Sequence, residues 1–125
     1  MISAITTSIG VTASFTGIHC WPDAPAHRAY LASPHRHKFG VKVEVSVAGH
    51  DREIEFHDLL DNVGRMLPSP SVLLQDGGNA YLNMSCEHHA KRILDLLSCT
   101  YPGRAISVTV DEDGECFATV TSRPA

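Results

Sequence analysis

Two histidines one residue apart, His35 and His37 in Ser33-Pro34-His35-Arg36-His37, are the residues here best spaced for chemistry. On a strand, alternate side chains share a face, so both rings project together from α-carbons roughly 7 Å apart. The row His35, His37, Phe39, Val41, Val43, Val45, Val47 keeps this phase, while Lys38, Lys42 and Glu44 fall on the other side. The two imidazoles therefore belong to the apolar face. His19, closing Phe15-Thr16-Gly17-Ile18-His19, shares parity with Val11, Ala13 and Phe15 on the preceding extended stretch. Three imidazoles at the ends of two inward rows make a ligand set for zinc. They leave a fourth tetrahedral position open for water or substrate, as catalytic rather than structural centres do. The plainer reading is three separately hydrogen-bonded histidines with no common partner; the shared phase favours the metal.

The elements that must position these side chains follow from pattern. Residues 2–19, rich in Ile, Val, Thr, Ser and Phe around Gly10, read as one long strand with a break or bulge, or as two short ones. Cys20 to Pro34 carries Pro22, Pro25 and Pro34 and predicts an irregular loop long enough to be functional. Residues 35–48 form the clearest strand, and Gly49-His50-Asp51-Arg52 turns the chain into Glu53-Ile54-Glu55. Phe56, Leu59, Leu60, Val63, Met66 and Leu67 recur at helical spacing until Pro68 and Pro70 stop the run. Residues 69–82 are ambiguous. A second helix opens near Asn83 or Ser85 with Glu87 in its first turn, a core stripe of Ala90, Ile93, Leu94 and Leu97, and a wetter side of His88, His89, Lys91 and Arg92. Strands at Ile106–Val110 and Cys116–Val120 join through Asp111-Glu112-Asp113-Gly114, a hairpin signal. The order ββααββ predicts a single α+β domain over residues 1–125, an antiparallel four-stranded sheet with two helices on one face.

Composition excludes several classes. Ten Lys and Arg against fourteen Asp and Glu, with no basic run, argue against nucleic acid as a direct ligand. Four scattered cysteines without Cys-x-x-Cys spacing offer neither a zinc ribbon nor a thioredoxin-type motif, and they read as free thiols. Neither a leader pattern nor an apolar run approaching a membrane span is visible, so the expected setting is cytoplasmic, without membrane association.

With the order and the histidines placed, the chain resembles the family of 6-pyruvoyl-tetrahydropterin synthase and 6-carboxy-tetrahydropterin synthase, the latter an enzyme of queuosine biosynthesis. Phe15-Thr16-Gly17-Ile18-His19 is similar to the family's first-strand motif, and His35-Arg36-His37-Lys38-Phe39 to its His-Gly-His before a Val-rich strand. Glu55-Phe56 resembles the Asp-Phe that opens the first helix, and Asn83-Met84-Ser85-Cys86-Glu87-His88 the Asn-Pro-Thr-x-Glu-Asn start of the second. Val108-Thr109-Val110-Asp111-Glu112 resembles a strand whose Glu anchors the pterin ring.

The resemblance implies the tunnelling fold, homo-oligomers (usually hexamers) with sites between subunits, zinc on His19, His35 and His37, and Glu112 as ligand anchor. It implies a zinc-dependent lyase acting on 7,8-dihydroneopterin triphosphate or a related pterin. Glu112 also reads as an ordinary charged turn residue beside Asp111 and Asp113. Two departures limit the match. The family's catalytic cysteine before the His-Gly-His is absent, with Ala29 and Leu31 at the matching positions, and no Asp-His pair stands near Leu67-Pro68-Ser69-Pro70-Ser71. If the chain is an enzyme, His27 is the leading candidate base, with Asp23 as alternative or orienting group and Cys20 next. The alternative is a non-catalytic or re-purposed zinc-containing oligomer that binds a pterin- or purine-like ligand.

Overall fold

The computed structural model describes residues 4–68 and 84–124, with the backbone alone for His19. The ambiguous segment 69–82 and the Asn83 cap lie outside the described residues. In chain order the elements are β1 (Thr7–His19), a 3₁₀ helix (Ala26–Ala32), β2 (His35–Val47), α1 (Phe56–Met66), α2 (Cys86–Thr100), β3 (Ile106–Glu112) and β4 (Cys116–Ser122). The strands form one open antiparallel sheet in the order β1-β2-β3-β4.

Alternation explains the layers. Phe39, Val41, Val43 and Val45 are buried while Lys38, Lys42 and Glu44 are exposed, and Ile106, Val108 and Val110 repeat the pattern on β3. These residues join Leu59 and Val63 of α1 and Ala90, Ile93, Leu94 and Leu97 of α2 in one core. Both helices thus cover the same face, α1 against β1 and α2 against β3 and β4. Each helix start is capped by a side chain. The Glu55 carboxylate accepts the His57 and Asp58 N–H groups at 2.7 and 3.0 Å, and the Ser85 hydroxyl accepts the His88 N–H at 3.1 Å.

Four features differ from the pattern reading. β1 runs unbroken through Gly10, with continuous pairing to β2. The Cys20–Pro34 loop contains a 3₁₀ helix, kinked at Arg28, and the Trp21 N–H to Leu31 carbonyl bond of 2.7 Å closes the loop on itself. Phe56 and Leu60 stand exposed, because α1 presents Leu59 and Val63 to the sheet instead. His89, predicted on the wet side of α2, is 2% exposed in the core, with its ring 5.2 Å from that of Phe15 and 5.3 Å from that of Phe39. Its position, three residues after Cys86 and four before Ile93, puts it on the buried stripe whatever its polarity. Arg92 is half-buried and donates to the Met66 carbonyl at 2.6 Å, while His88 and Lys91 are exposed as expected.

The far end of the sheet is clamped by Arg104. Its guanidinium donates to the Ser46 carbonyl at 2.9 Å and pairs with Glu53, whose carboxylate also accepts the Ala48 and Gly49 N–H groups. The Ala48 N–H first, then Arg104, hold the Glu53 carboxyl below the usual carboxylate range. A depressed folded-state value stabilises the protein above the unfolded-state pKa, and that contribution is lost as pH falls through the folded value. The melting-temperature gap between wild type and Glu53→Gln is therefore expected to be widest near neutrality and to close between about pH 5 and pH 3. A gap that stays constant over that range in thermal denaturation contradicts the clamp.

Candidate metal centre and its cleft

His35 and His37 open β2, and their strand partners are His19 and Gly17 of β1. On the other side β2 pairs with β3 only as far as Phe39 and Glu112, so the two histidines reach beyond the end of β3. The β3–β4 turn fills that corner. Asp113 and Gly114 occupy its two central positions with φ of 56° and 75°, and the Glu115 N–H returns to the Glu112 carbonyl at 3.0 Å. Positive φ at both positions suits Asp-Gly and matches the twist of the flanking strands. Gly40, opposite Asp111, makes room for that carboxylate, which accepts the Gly114 N–H at 2.7 Å; a β-carbon at Gly40 would collide with it.

The two rings are held by their Nδ1 atoms. His35 Nδ1 lies 2.9 Å from the Ser33 carbonyl oxygen, and His37 Nδ1 lies 2.7 Å from Asp113 Oδ2. A carbonyl oxygen and an ionised carboxylate can only accept, so each Nδ1 must carry the proton. In the neutral ring, that tautomer puts the lone pair on Nε2, the form a histidine needs to bind a metal. The ring centroids are 4.7 Å apart with planes at 89°. Two imidazoles bound through Nε2 to one tetrahedral zinc have centroids about 5.2 Å apart, taking a Zn–N distance of about 2.0–2.1 Å. The observed centroid separation is slightly shorter than that figure. The side chain of His19 lies outside the described residues, and among the described residues no three metal-ligating side chains form a set.

Beside His35 lies a cleft of ≈ 540 Å³. Trp21 and Leu31 wall it, brought there by closure of the loop, and Phe117 of β4 borders it at the rim, its ring on the outer face of the sheet with Asp111. Glu87, Glu112 and Cys86 supply its polar lining. Glu112 is half-buried, with Oε2 3.8 Å from His37 Nε2. Burial first, then the charges of Glu112, Glu87 and Asp111, push the Cys86 thiol up to about 12, overriding its place in the first turn of α2. Cys86 is thus held as the neutral thiol near neutrality and donates to the Glu112 carboxylate rather than acting as a nucleophile.

The remaining sequence candidates divide. Cys20, buried, lines the cleft, as does Leu31, one of the two residues, with Ala29, that stand where the resemblance expects a cysteine. Asp23 and His27 are exposed on the loop and do not line it. Arg36 is exposed on the face opposite the histidines, since no bulge interrupts β2. Cys86 and Glu87 were not singled out as site residues; the signal for them was a helix start whose first turn must abut the end of β3. None of the four cysteines forms a disulfide among the described residues, and no helix among them is long and apolar enough to cross a membrane. Comparison with known families finds no family model that matches the chain, and comparison with curated proteins finds no match.

Proposed function

We propose that the chain is a zinc-dependent lyase acting on 7,8-dihydroneopterin triphosphate or a related pterin, with zinc on His19, His35 and His37. The observation that carries this reading is the pairing of two imidazoles, both in the Nε2-ligating tautomer, with a neighbouring cleft that holds a half-buried carboxylate. Bound zinc supplies Lewis-acid polarisation of a substrate hydroxyl, which acidifies the adjoining C–H and O–H bonds. The chain's own part is to bind and orient. Glu112 accepts the paired N–H groups of an amidine edge, and the Cys86 thiol steadies that carboxylate without competing as an anion. Trp21 offers aromatic surface to a flat heterocycle entering the cleft. Cys20 is the titratable group of the β1–β2 loop that lines the cleft, and it takes precedence over His27 and Asp23 as proton acceptor. The open β1 and β4 edges support a homo-oligomer in which neighbouring copies cover these strands.

The exposure of Asp23 and His27 away from the cleft favours a second reading, a non-catalytic or re-purposed oligomer that holds zinc and a pterin- or purine-like ligand. Turnover of dihydroneopterin triphosphate with and without chelator separates the two. Zinc-dependent turnover supports the lyase; bound zinc and bound pterin without turnover support the second reading. In either case Glu112→Gln is expected to weaken pterin binding about ten- to a hundred-fold, since a lost charge-assisted hydrogen bond costs about 1.5–3 kcal/mol. Unchanged affinity in calorimetry removes Glu112 from the site.

A further inference from the structure

We infer that Asp113 is the positioning residue of the metal centre, the carboxylate that fixes the tautomer and ring orientation of His37 and raises its strength as a ligand. The inference rests on the metal reading of the histidines and adds to it a residue that the pattern of the chain presents only as turn charge. Asp113 is tied to the histidine strand three times. Its N–H donates to the Lys38 carbonyl at 2.8 Å, its Oδ1 accepts the Lys38 N–H at 2.9 Å, and its Oδ2 takes the His37 Nδ1–H at 2.7 Å. Both carboxylate oxygens are thus engaged on β2, and the ring they hold has little freedom to rotate.

The turn alone does not call for this side chain. A left-handed central position accepts glycine or asparagine as readily as aspartate. What glycine and asparagine cannot supply is an anionic acceptor aimed at an imidazole N–H. His35 meets the neutral Ser33 carbonyl in that role. The two ligands therefore differ: the charged partner holds the His37 proton on Nδ1 and steadies positive charge brought to its Nε2. The same contact couples the centre to the cleft, because Asp113 directly follows Glu112 and one hairpin turn then sets the spacing between metal ligand and ligand anchor.

The test compares the full chain with Asp113→Asn and Asp113→Gly. Asparagine keeps the turn and can still accept the Lys38 N–H. Its amide nitrogen, facing His37 Nδ1, makes that atom an acceptor and moves the ring proton to Nε2, where it blocks ligation. Glycine keeps the turn and removes the partner. Zinc affinity, read by competition with a chromophoric chelator, is expected to fall about ten- to a hundred-fold in both variants. The melting temperature of the metal-free chain in EDTA is expected to move little by comparison. Two-bond ¹H–¹⁵N spectra of the metal-free imidazoles are expected to show the His37 proton on Nδ1 in wild type and on Nε2 in Asp113→Asn. Wild-type affinity in both variants overturns the role of Asp113 and leaves the histidines as ligands. A fall in affinity accompanied by collapse of the metal-free melting temperature in both variants assigns Asp113 to the fold instead. A wild type that takes up no zinc overturns this inference and the metal reading together.

Discussion

His37→Ala is expected to take the protein from one zinc per chain to none after desalting, the largest single-residue effect on composition that this site predicts. The reason is additive ligation with a steep dependence on ligand number. Four-ligand zinc centres bind with about 10–16 kcal/mol, roughly 3 kcal/mol for each ligand, so removing one imidazole weakens binding by about two orders of magnitude. In a centre that holds three protein ligands and one open position, the two that remain do not retain the ion through desalting. Elemental analysis reads the loss directly. Thermal denaturation reads it a second way: added zinc stabilises a binding-competent fold by mass action, and that rise in melting temperature should vanish in His37→Ala. His88→Ala is the control, since His88 is exposed on α2 and its loss is expected to leave zinc unchanged. Stoichiometric zinc in His37→Ala sinks the assignment, as does a wild type that binds no metal.

How much of this was legible beforehand depends on the range of each interaction. The phase of His35, His37 and the Val row is a property of five to ten consecutive residues, and the strand bears it out by alternating in burial as the sequence does. The Asp113-Gly114 hairpin and the Ser85 cap are equally local, because turn and cap chemistry act within three or four residues. The contact between Asp113 and His37 spans 76 positions and exists only because β2 and the β3–β4 hairpin meet in one register. Nothing near Asp113 in the chain distinguishes it from Asp111, whose carboxylate serves its own turn. Cys86 and Glu87 reached the cleft in the same manner, through the docking of α2 on β3. His89 was misjudged for a different reason: polarity outweighed periodicity in the reading, whereas the core accepted an imidazole between two phenyl rings.

Those rings carry the other large effect. Phe39 is 1% exposed, stacks on Phe15 at 4.9 Å with planes 15° apart, and packs its ring 5.8 Å from that of His37 and 5.3 Å from that of His89. It is both the first buried residue of the core row on β2 and the floor beneath a proposed ligand. Phe39→Ala removes the phenyl ring and leaves a cavity that the rigid sheet around it cannot close. Such truncations cost about 3–5 kcal/mol. Domains of this size have about 5–15 kcal/mol of total stability, so the variant is expected to sit near the edge of folding, with a melting temperature lower by roughly 10–20 °C. Phe39→Leu refills most of the volume and is expected to lose far less, under about 1.5 kcal/mol. The pair of variants separates the two duties of the ring. If Phe39 acts only as core, zinc affinity in Phe39→Leu stays at the wild-type value while stability falls slightly. If it also braces His37, the leucine variant loses zinc affinity out of proportion to its stability, because a branched aliphatic chain gives the imidazole edge no flat surface to rest on. A melting temperature within a few degrees of wild type in Phe39→Ala would mean that the core under the histidines is not packed as described.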